Sequence, residues 1–354
     1  MTQREALRRT VQLHVNQLVP GMELAHDLLS GDGAVLIGAG TIVSSHTINK
    51  LKNWQIAVAN IVSEVPVNPI LSREVEQFVN SYNKSVSVVQ SAFSDLRASQ
   101  EMPLEAFTAT ADELAAGVQA AGNVVDRLYD LPPCDDATFQ HSVNVGVIAA
   151  LIATWMNYPP EVVNAVSLAG LLHDVGKSQL PQSLLHRTNL LPPNDYAHYK
   201  QHVRYGFELV KGLDLAASVK AAIAQHHERN DRSGYPLSLP GEKIHPYAKI
   251  VAVADIYDEA LTINRNPCAV YSPYSGLETV NDAKHQADPE ICLLFSGRML
   301  NFLCGNIVAL NDGREARVVY LNPVSPSRSI VQLTSGAVLD LADDPELRIH
   351  HVIR

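Results

Sequence analysis

The 354-residue chain holds four cysteines, Cys134, Cys268, Cys292 and Cys304, and no two form a Cys-x-x-Cys pair. Their scatter excludes a thiolate zinc site and reads as reduced, mostly buried thiols of a cytoplasmic protein. Positive charge is also short. There are 27 Lys+Arg against 37 Asp+Glu, a formal net charge of -10, which argues against a duplex nucleic-acid partner, because neutralising phosphates needs clustered Lys and Arg. A small anionic ligand stays allowed where metals and a few bases supply local positive charge. Long apolar runs are missing too. The longest, Val143 to Met156, is interrupted by Asn144 and is too short to span a bilayer, so it reads as a buried helix. The N-terminus runs polar from Thr2 to Arg9, without the apolar segment of a signal peptide. What is plentiful is hydrophobic residues, 46%, enough for a large core, over a length that suggests about two to three domains.

Four sections are legible. Residues 1–68 mix short β-like runs with turn signals. Gly31-Asp32-Gly33 between Leu28-Leu29 and Val35-Leu36-Ile37 predicts a hairpin, Ser44 or Ser45 a helix cap, and Ile56 to Val62 a strand. The section reads as a small α+β regulatory or interaction module. Its His14, His26 and His46 have no carboxylates beside them and read as ordinary histidines. In residues 69–130 two apolar seams recur at alternating three- and four-residue steps. One runs from Val75 through Tyr82, Val89 and Phe93 to Leu96, the other from Leu104 through Phe107 and Leu114 to Leu128. Few flanking charges are placed to specify a partner. A helical pair packed on the following domain is therefore preferred to its alternative, a homodimer through this helical linker. Residues 131–303 are helical by pattern, and residues 304–354 read as a hairpin-rich β tail ending in a polar His350-His351.

The third section carries the chemistry. An apolar helix, 161–173, ends in His173-Asp174, followed by Val175-Gly176-Lys177. A His-Asp pair alone says little. Here His141 precedes it on a helix, and His202, His226-His227 and Asp255 follow. The pattern predicts that His202 lies on a helix starting near Asp195, and that a helix over 215–225 delivers the histidine pair. Neutral imidazoles with carboxylates make a nitrogen/oxygen site suited to iron, manganese or zinc. Seven ligands are too many for one ion and about right for two, with Asp174 as the natural bridge. His173, Asp174, Asp255 and His141 would serve one ion, and Asp174, His202, His226 and His227 the other. Two such ions, roughly 3.5–4 Å apart, hold a bridging hydroxide against a phosphate for in-line attack. Lys177 would neutralise phosphate charge. Glu228 and Asp258 would orient imidazoles.

In order and content, His141, the His173-to-Lys177 run, His202, His226-His227-Glu228, Gly234-Tyr235-Pro236 and Asp255 resemble the HD-GYP domain, a branch of the HD metal-dependent phosphohydrolases. Leu13-His14-Val15 and Leu18 to Met22 resemble a small domain often found ahead of it. The resemblance implies an all-helical HD-type domain within a mainly α chain. It also implies a bacterial cyclic di-GMP phosphodiesterase yielding pGpG or GMP, with two divalent ions, iron first and manganese next. In this family Asp231 opens the loop that carries Gly234, which admits close backbone approach, and Tyr235, which offers a face or hydroxyl to a guanine nucleotide. Three departures stand out. Arg232 replaces a usual glycine. Ala137 stands where some members carry a glutamate for a third metal. In the stretch from Ala260 to Pro267, Arg265 meets the substrate-binding arginine only with a one-residue shift, beside Asn264. An HD phosphohydrolase acting on another nucleotide, and a catalytically silent cyclic di-GMP sensor, are the alternatives.

Overall fold

The computed structural model describes residues 9–14, 22–29, 35–44, 47–48, 50–51, 54, 58–63, 69–99, 101–121, 137–185, 191–262 and 272–353. They form two compact units, Met1–Arg73 and Glu74–Arg354. In the first, strands β1 (Arg9–His14), β2 (Glu23–Leu24) and β5 (Val58–Ser63) make an antiparallel sheet in the order β1-β5-β2. β3 (Leu28–Leu29) pairs with β4 (Val35–Ile37) as the hairpin pattern predicts, while the turn residues Gly31 to Gly33 lie outside the described residues. Ser44 Oγ accepts from Thr47 N at 3.1 Å, capping the short helical turn that follows; Ser45 and His46 also lie outside the description. Leu24, Leu28, Val43, Leu51 and Ala59 form this unit's small core.

In the second unit the two seams become helices α1 (Pro69–Ser99) and α2 (Leu104–Ala121). Tyr82, Val86, Val89, Phe93 and Leu96 on α1, with Phe107, Ala111, Leu114 and Val118 on α2, are buried in one continuous core with the helices that follow. The two helices thus pack on the helices that follow. Helix α3 (Ala137–Trp155) is buried on all faces, as its nearly unbroken apolar composition dictates. It crosses α4 (Pro160–Leu172) at a pair of glycines, where a Cβ on Gly170 would lie 2.8 Å from Gly146 Cα. This close approach brings the His141 and His173 rings within 5.1 Å of each other.

After α4 the chain turns through a 3-10 segment, Val175–Gln179. Where a single helix carrying His202 is predicted, the structure has two, α5 (Pro193–Tyr199) and α6 (His202–Val210), broken at Lys200-Gln201. Helix α7 (Ala217–Gln225) starts two residues later than predicted, and α8 (Pro246–Thr262), α9 (Pro273–Ala283) and α10 (Pro289–Leu303) complete the bundle. A capping box at Ser272 and an Asp288 N-cap start α9 and α10. The tail is a five-stranded antiparallel sheet in the order β10-β6-β7-β8-β9. Its strands are β6 (Ile307–Leu310), β7 (Glu315–Tyr320), β8 (Ile330–Leu333), β9 (Val338–Asp340) and β10 (Ile349–Ile353). His350 and His351 are exposed on β10. Among the described residues no helix is long and apolar enough to cross a membrane. Cys292 and Cys304 are free thiols, and Cys134 and Cys268 lie outside the described residues.

Candidate metal centre

Three of the predicted ligands stand at helix ends. His173 caps the C-terminus of α4, His226 caps α7, and His202 opens α6 immediately after α5. Carbonyls in a last helical turn lack intrahelical partners, and each of these histidines turns its Nδ1 onto the carbonyl three residues back. The distances are 2.6 Å to Gly170 O, 2.8 Å to Tyr199 O and 2.9 Å to Ile223 O. A carbonyl only accepts, so Nδ1 carries the proton and Nε2 presents its lone pair inward. His141 is oriented differently, with its Nδ1 on Asp258 Oδ2 at 2.7 Å.

The inward atoms converge on Asp174. His202 Nε2 is 3.3 Å and His226 Nε2 3.9 Å from its Oδ1. His173 Nε2 is 3.2 Å and His141 Nε2 3.6 Å from its Oδ2. Asp255 Oδ1 lies 3.2 Å from His141 Nε2 and 3.8 Å from His173 Nε2, and its Oδ2 lies 4.0 Å from His227 Nδ1. All seven side chains are buried. Two groups have ligand atoms close enough to share a cation: Asp174 with His202, His226 and His227, and Asp174 with His141 and His173. The Nε2 atoms of His141, His173, His202, His226 and His227 are buried and make no hydrogen bond. Buried polar atoms are normally satisfied, so five orphaned imidazole nitrogens around one carboxylate fit a divalent cation site.

The electrostatics match neutral His202, His226 and His227 beside an ionised Asp174. Burial lowers His202 to about 4 and His226 to about 3. Burial, with the neighbouring His226 and His202, holds His227 well below the usual imidazole value. Burial opposes ionisation of Asp174, but His173 and Lys177 outweigh it and keep its pKa well below the carboxylate range. Burial likewise opposes a charged His141, and Asp255 and Asp258 outweigh it and raise its pKa. Lys177 pairs with Asp174 and lies 5.3 Å above the Tyr199 ring.

Beside this cluster opens a cleft of about 550 Å³ lined by Tyr196, Tyr199, His227, Arg229, Tyr235 and Glu259, among others. Tyr235 stacks on His227 at 4.6 Å, and Lys200 Nζ lies 5.2 Å from the Tyr196 ring and 5.6 Å from the Tyr235 ring. Gly234 packs backbone on backbone, since an added Cβ would meet Arg229 N and His227 O at 2.4 Å. Pro236 follows through a cis peptide and is exposed. Asp231 Oδ1 accepts from Ser233 N at 2.9 Å and Ser233 Oγ at 2.6 Å, which orders the loop start. Arg232, in the usual glycine position, has a φ of 66°, the left-handed conformation that favours glycine. Glu228 does not orient an imidazole. Its carboxylate accepts from Leu237 N at 2.6 Å and Leu239 N at 2.8 Å and ties down the far end of the loop. Arg265, Asn264 and the rest of 263–271 lie outside the described residues.

Sequence reasoning missed Glu259, Tyr196, Tyr199 and Lys200. Glu259 is one helical turn past Asp255, and burial with the nearby Asp255 raises its pKa to about 8. Tyr199 sits three residues before His202. Both offsets were readable as same-face neighbours of a ligand.

A model of the HD domain family matches residues 130–291. A cyclic di-GMP phosphodiesterase of Pseudomonas aeruginosa is 28% identical over 250 residues, 70% of this chain and 60% of the relative. A 3'3'-cGAMP-specific phosphodiesterase of Vibrio cholerae is 32% identical over 174 residues, 48% of this chain and 36% of the relative. A cyclic di-GMP phosphodiesterase response regulator of Xanthomonas campestris is 41% identical over 117 residues, 32% of this chain and 31% of the relative. The chain thus spans 60% of the first relative's length and about a third of the other two. The fold is similar to that of an HDG"Y"P protein from Bdellovibrio bacteriovorus, with a TM-score of 0.53 at 16% identity over 82% of this chain and 99% of that one.

Proposed function

We propose that this chain, which carries an HD domain over residues 130–291, is a cytoplasmic metal-dependent phosphodiesterase that hydrolyses cyclic di-GMP to pGpG or GMP. The observation that carries the reading is the set of five orphaned Nε2 atoms around Asp174, beside a cleft large enough for a nucleotide. Asp174, His202, His226 and His227 would hold one ion, and His141, His173, Asp174 and Asp255 a second, with iron or manganese as the expected metals. When bound, such ions supply Lewis acidity and activate water as a nucleophile.

The chain's own residues do the rest. His202 and His226 arrive neutral and aimed, so neither has to lose a proton before ligation. Lys177, buried beside Asp174, offers a positive charge in place of the hydration that a phosphodiester anion loses on leaving water. The Tyr235 ring, held against His227, and the Tyr196 ring, 42% exposed, offer faces on which a purine stacks. Glu228 holds the loop that carries Tyr235.

The relative specific for 3'3'-cGAMP favours one second reading, a different cyclic dinucleotide in the same cleft. The test is turnover by anaerobically purified, Fe(II)- or Mn(II)-loaded protein, with cyclic di-GMP and 3'3'-cGAMP separated chromatographically. Asp174→Asn is the control. Turnover of cyclic di-GMP by the native chain alone supports the proposal. Preference for 3'3'-cGAMP transfers it to the second reading. Binding of cyclic di-GMP without turnover makes the chain a sensor.

A further inference from the structure

One buried hydrogen-bond chain runs into the metal centre from outside the HD match. Tyr82, on α1, donates its hydroxyl to Asn144 Oδ1 on α3. Asn144 Nδ2 donates to Asp258 Oδ1 on α8 at 2.7 Å. Asp258 Oδ2 accepts from His141 Nδ1 at 2.7 Å, and His141 Nε2 lies 3.2 Å from Asp255. All four side chains are at least nine-tenths buried, and residue 82 precedes the family match at 130–291 by 48 positions.

The chain has one consistent polarity. Asn144 turns its NH2 toward Asp258. The amide oxygen then faces α1, and only a donor there is tolerated. The Tyr82 hydroxyl is that donor. With the amide locked, one oxygen of Asp258 is held by Asn144, and the other is left to fix the Nδ1–H tautomer of His141. Reversing the amide would set two oxygens against each other. A phenylalanine at 82 would remove the α1 donor that tells the two amide orientations apart.

We infer that Tyr82 and Asn144 are positioning residues for His141, so that the seating of α1 against α3 tunes the affinity of the cation group containing His141, His173 and Asp174. The inference rests on the reading of His141 as a metal ligand. Outer partners of ligating histidines typically change metal affinity by about 10–100-fold.

The experiment is Mn(II) binding to the full chain, followed by the EPR signal of the free ion, alongside thermal unfolding and cyclic di-GMP turnover. Tyr82→Phe is expected to weaken one class of Mn(II) site about tenfold. Tyr274→Phe is the control. Tyr274 is equally buried and also donates to a single oxygen, Leu303 O at 2.8 Å. Its loss is expected to lower thermal stability comparably and leave Mn(II) affinity unchanged. Asn144→Ala should weaken the same site, and the double variant should be no weaker than Asn144→Ala alone, because Tyr82 acts only through the amide. Unchanged affinity in Tyr82→Phe, an equal loss in Tyr274→Phe, or additive losses in the double variant overturn the inference. A native chain that binds Mn(II) but turns over no cyclic dinucleotide overturns the activity reading and leaves this one to the affinities. A native chain that binds no Mn(II) overturns both.

Discussion

Gly176→Ala tests how the centre is held together. Gly176 needs no left-handed backbone. Its constraint is space, because a Cβ would lie 1.9 Å from His202 O, 2.3 Å from Gly206 N and 2.9 Å from His202 C. Ordinary contact begins at 3.4 Å, so about 1.5 Å has to be found. All three obstacles are backbone atoms of α6, and no side chain can swing aside. Either the 3-10 turn that follows Asp174 or the start of α6 must move. Overpacking a core typically costs about 1–3 kcal/mol, and with backbone as the obstacle the upper end applies, about 3 kcal/mol. At about 2–4 °C per kcal/mol for a unit of this size, the melting temperature should fall by roughly 6–12 °C. The displaced residue is His202, whose Nε2 sits 3.3 Å from Asp174 Oδ1. An error near 1 Å at a reacting centre costs about 10²-fold, so turnover should drop by at least that factor and one metal should be lost per chain. Calorimetry, elemental analysis after gel filtration and turnover are the three assays. Gly297→Ala is the reference substitution. Gly297 lies inside α10 with nothing within 4 Å of a Cβ, and alanine there should stabilise by about 0.5–1 kcal/mol. A Gly176→Ala protein that melts within about 2 °C of the native chain and keeps its full metal complement would refute the argument.

Three further outcomes are expected. Glu228→Gln removes the charged acceptor shared by Leu237 N and Leu239 N, so KM should rise several-fold while metal content stays constant; a loss of metal would contradict the loop-holding role. Arg232→Gly relieves a left-handed residue and should raise stability by about 1 kcal/mol, read as an increased urea midpoint with turnover retained. The metal-stripped protein should lose stability as pH falls from 6.5 to about 4. In that window the unfolded chain protonates His202 and His226 while the fold keeps them neutral, at up to about 1.4 kcal/mol per pH unit for each. His141, raised in the fold, opposes the trend only near pH 6.5, and Glu259, which the fold holds protonated up to about pH 8, opposes it by one such step that His227, also held neutral by burial, offsets. A flat urea midpoint between about pH 6.5 and pH 4.5 would be the contrary result.

Much of the fold was legible because its periodicities were long and uninterrupted. The seams of α1 and α2 predicted the faces that are buried. Two features were not. The sequence from Asp195 to His202 keeps a helical pattern across Lys200-Gln201, yet the chain breaks there, and Tyr199 O is thereby free to take the His202 Nδ1. Nor was the partner of Glu228, which ties down the loop at Leu237 and Leu239 instead of orienting an imidazole.

The same division between local and distant partners governs the site. His173, His202 and His226 are each oriented by a carbonyl three residues back, so the information that aims them is written beside them. A histidine at a helix end is already most of an aimed ligand. His141 lies inside the buried α3, away from either helix end. Its Nδ1 is set by Asp258, 117 residues later, which is set by Asn144, which faces Tyr82, 62 residues earlier. The offset between Asp255 and Asp258 was visible as a shared helical face, but nothing in the order of residues joins Tyr82 to either. The first three ligands depend on the helix ends staying formed, and the fourth on α1 staying seated against α3. The group containing His141 is therefore the one whose affinity should respond to a change in α1, while the group of His202, His226 and His227 should not.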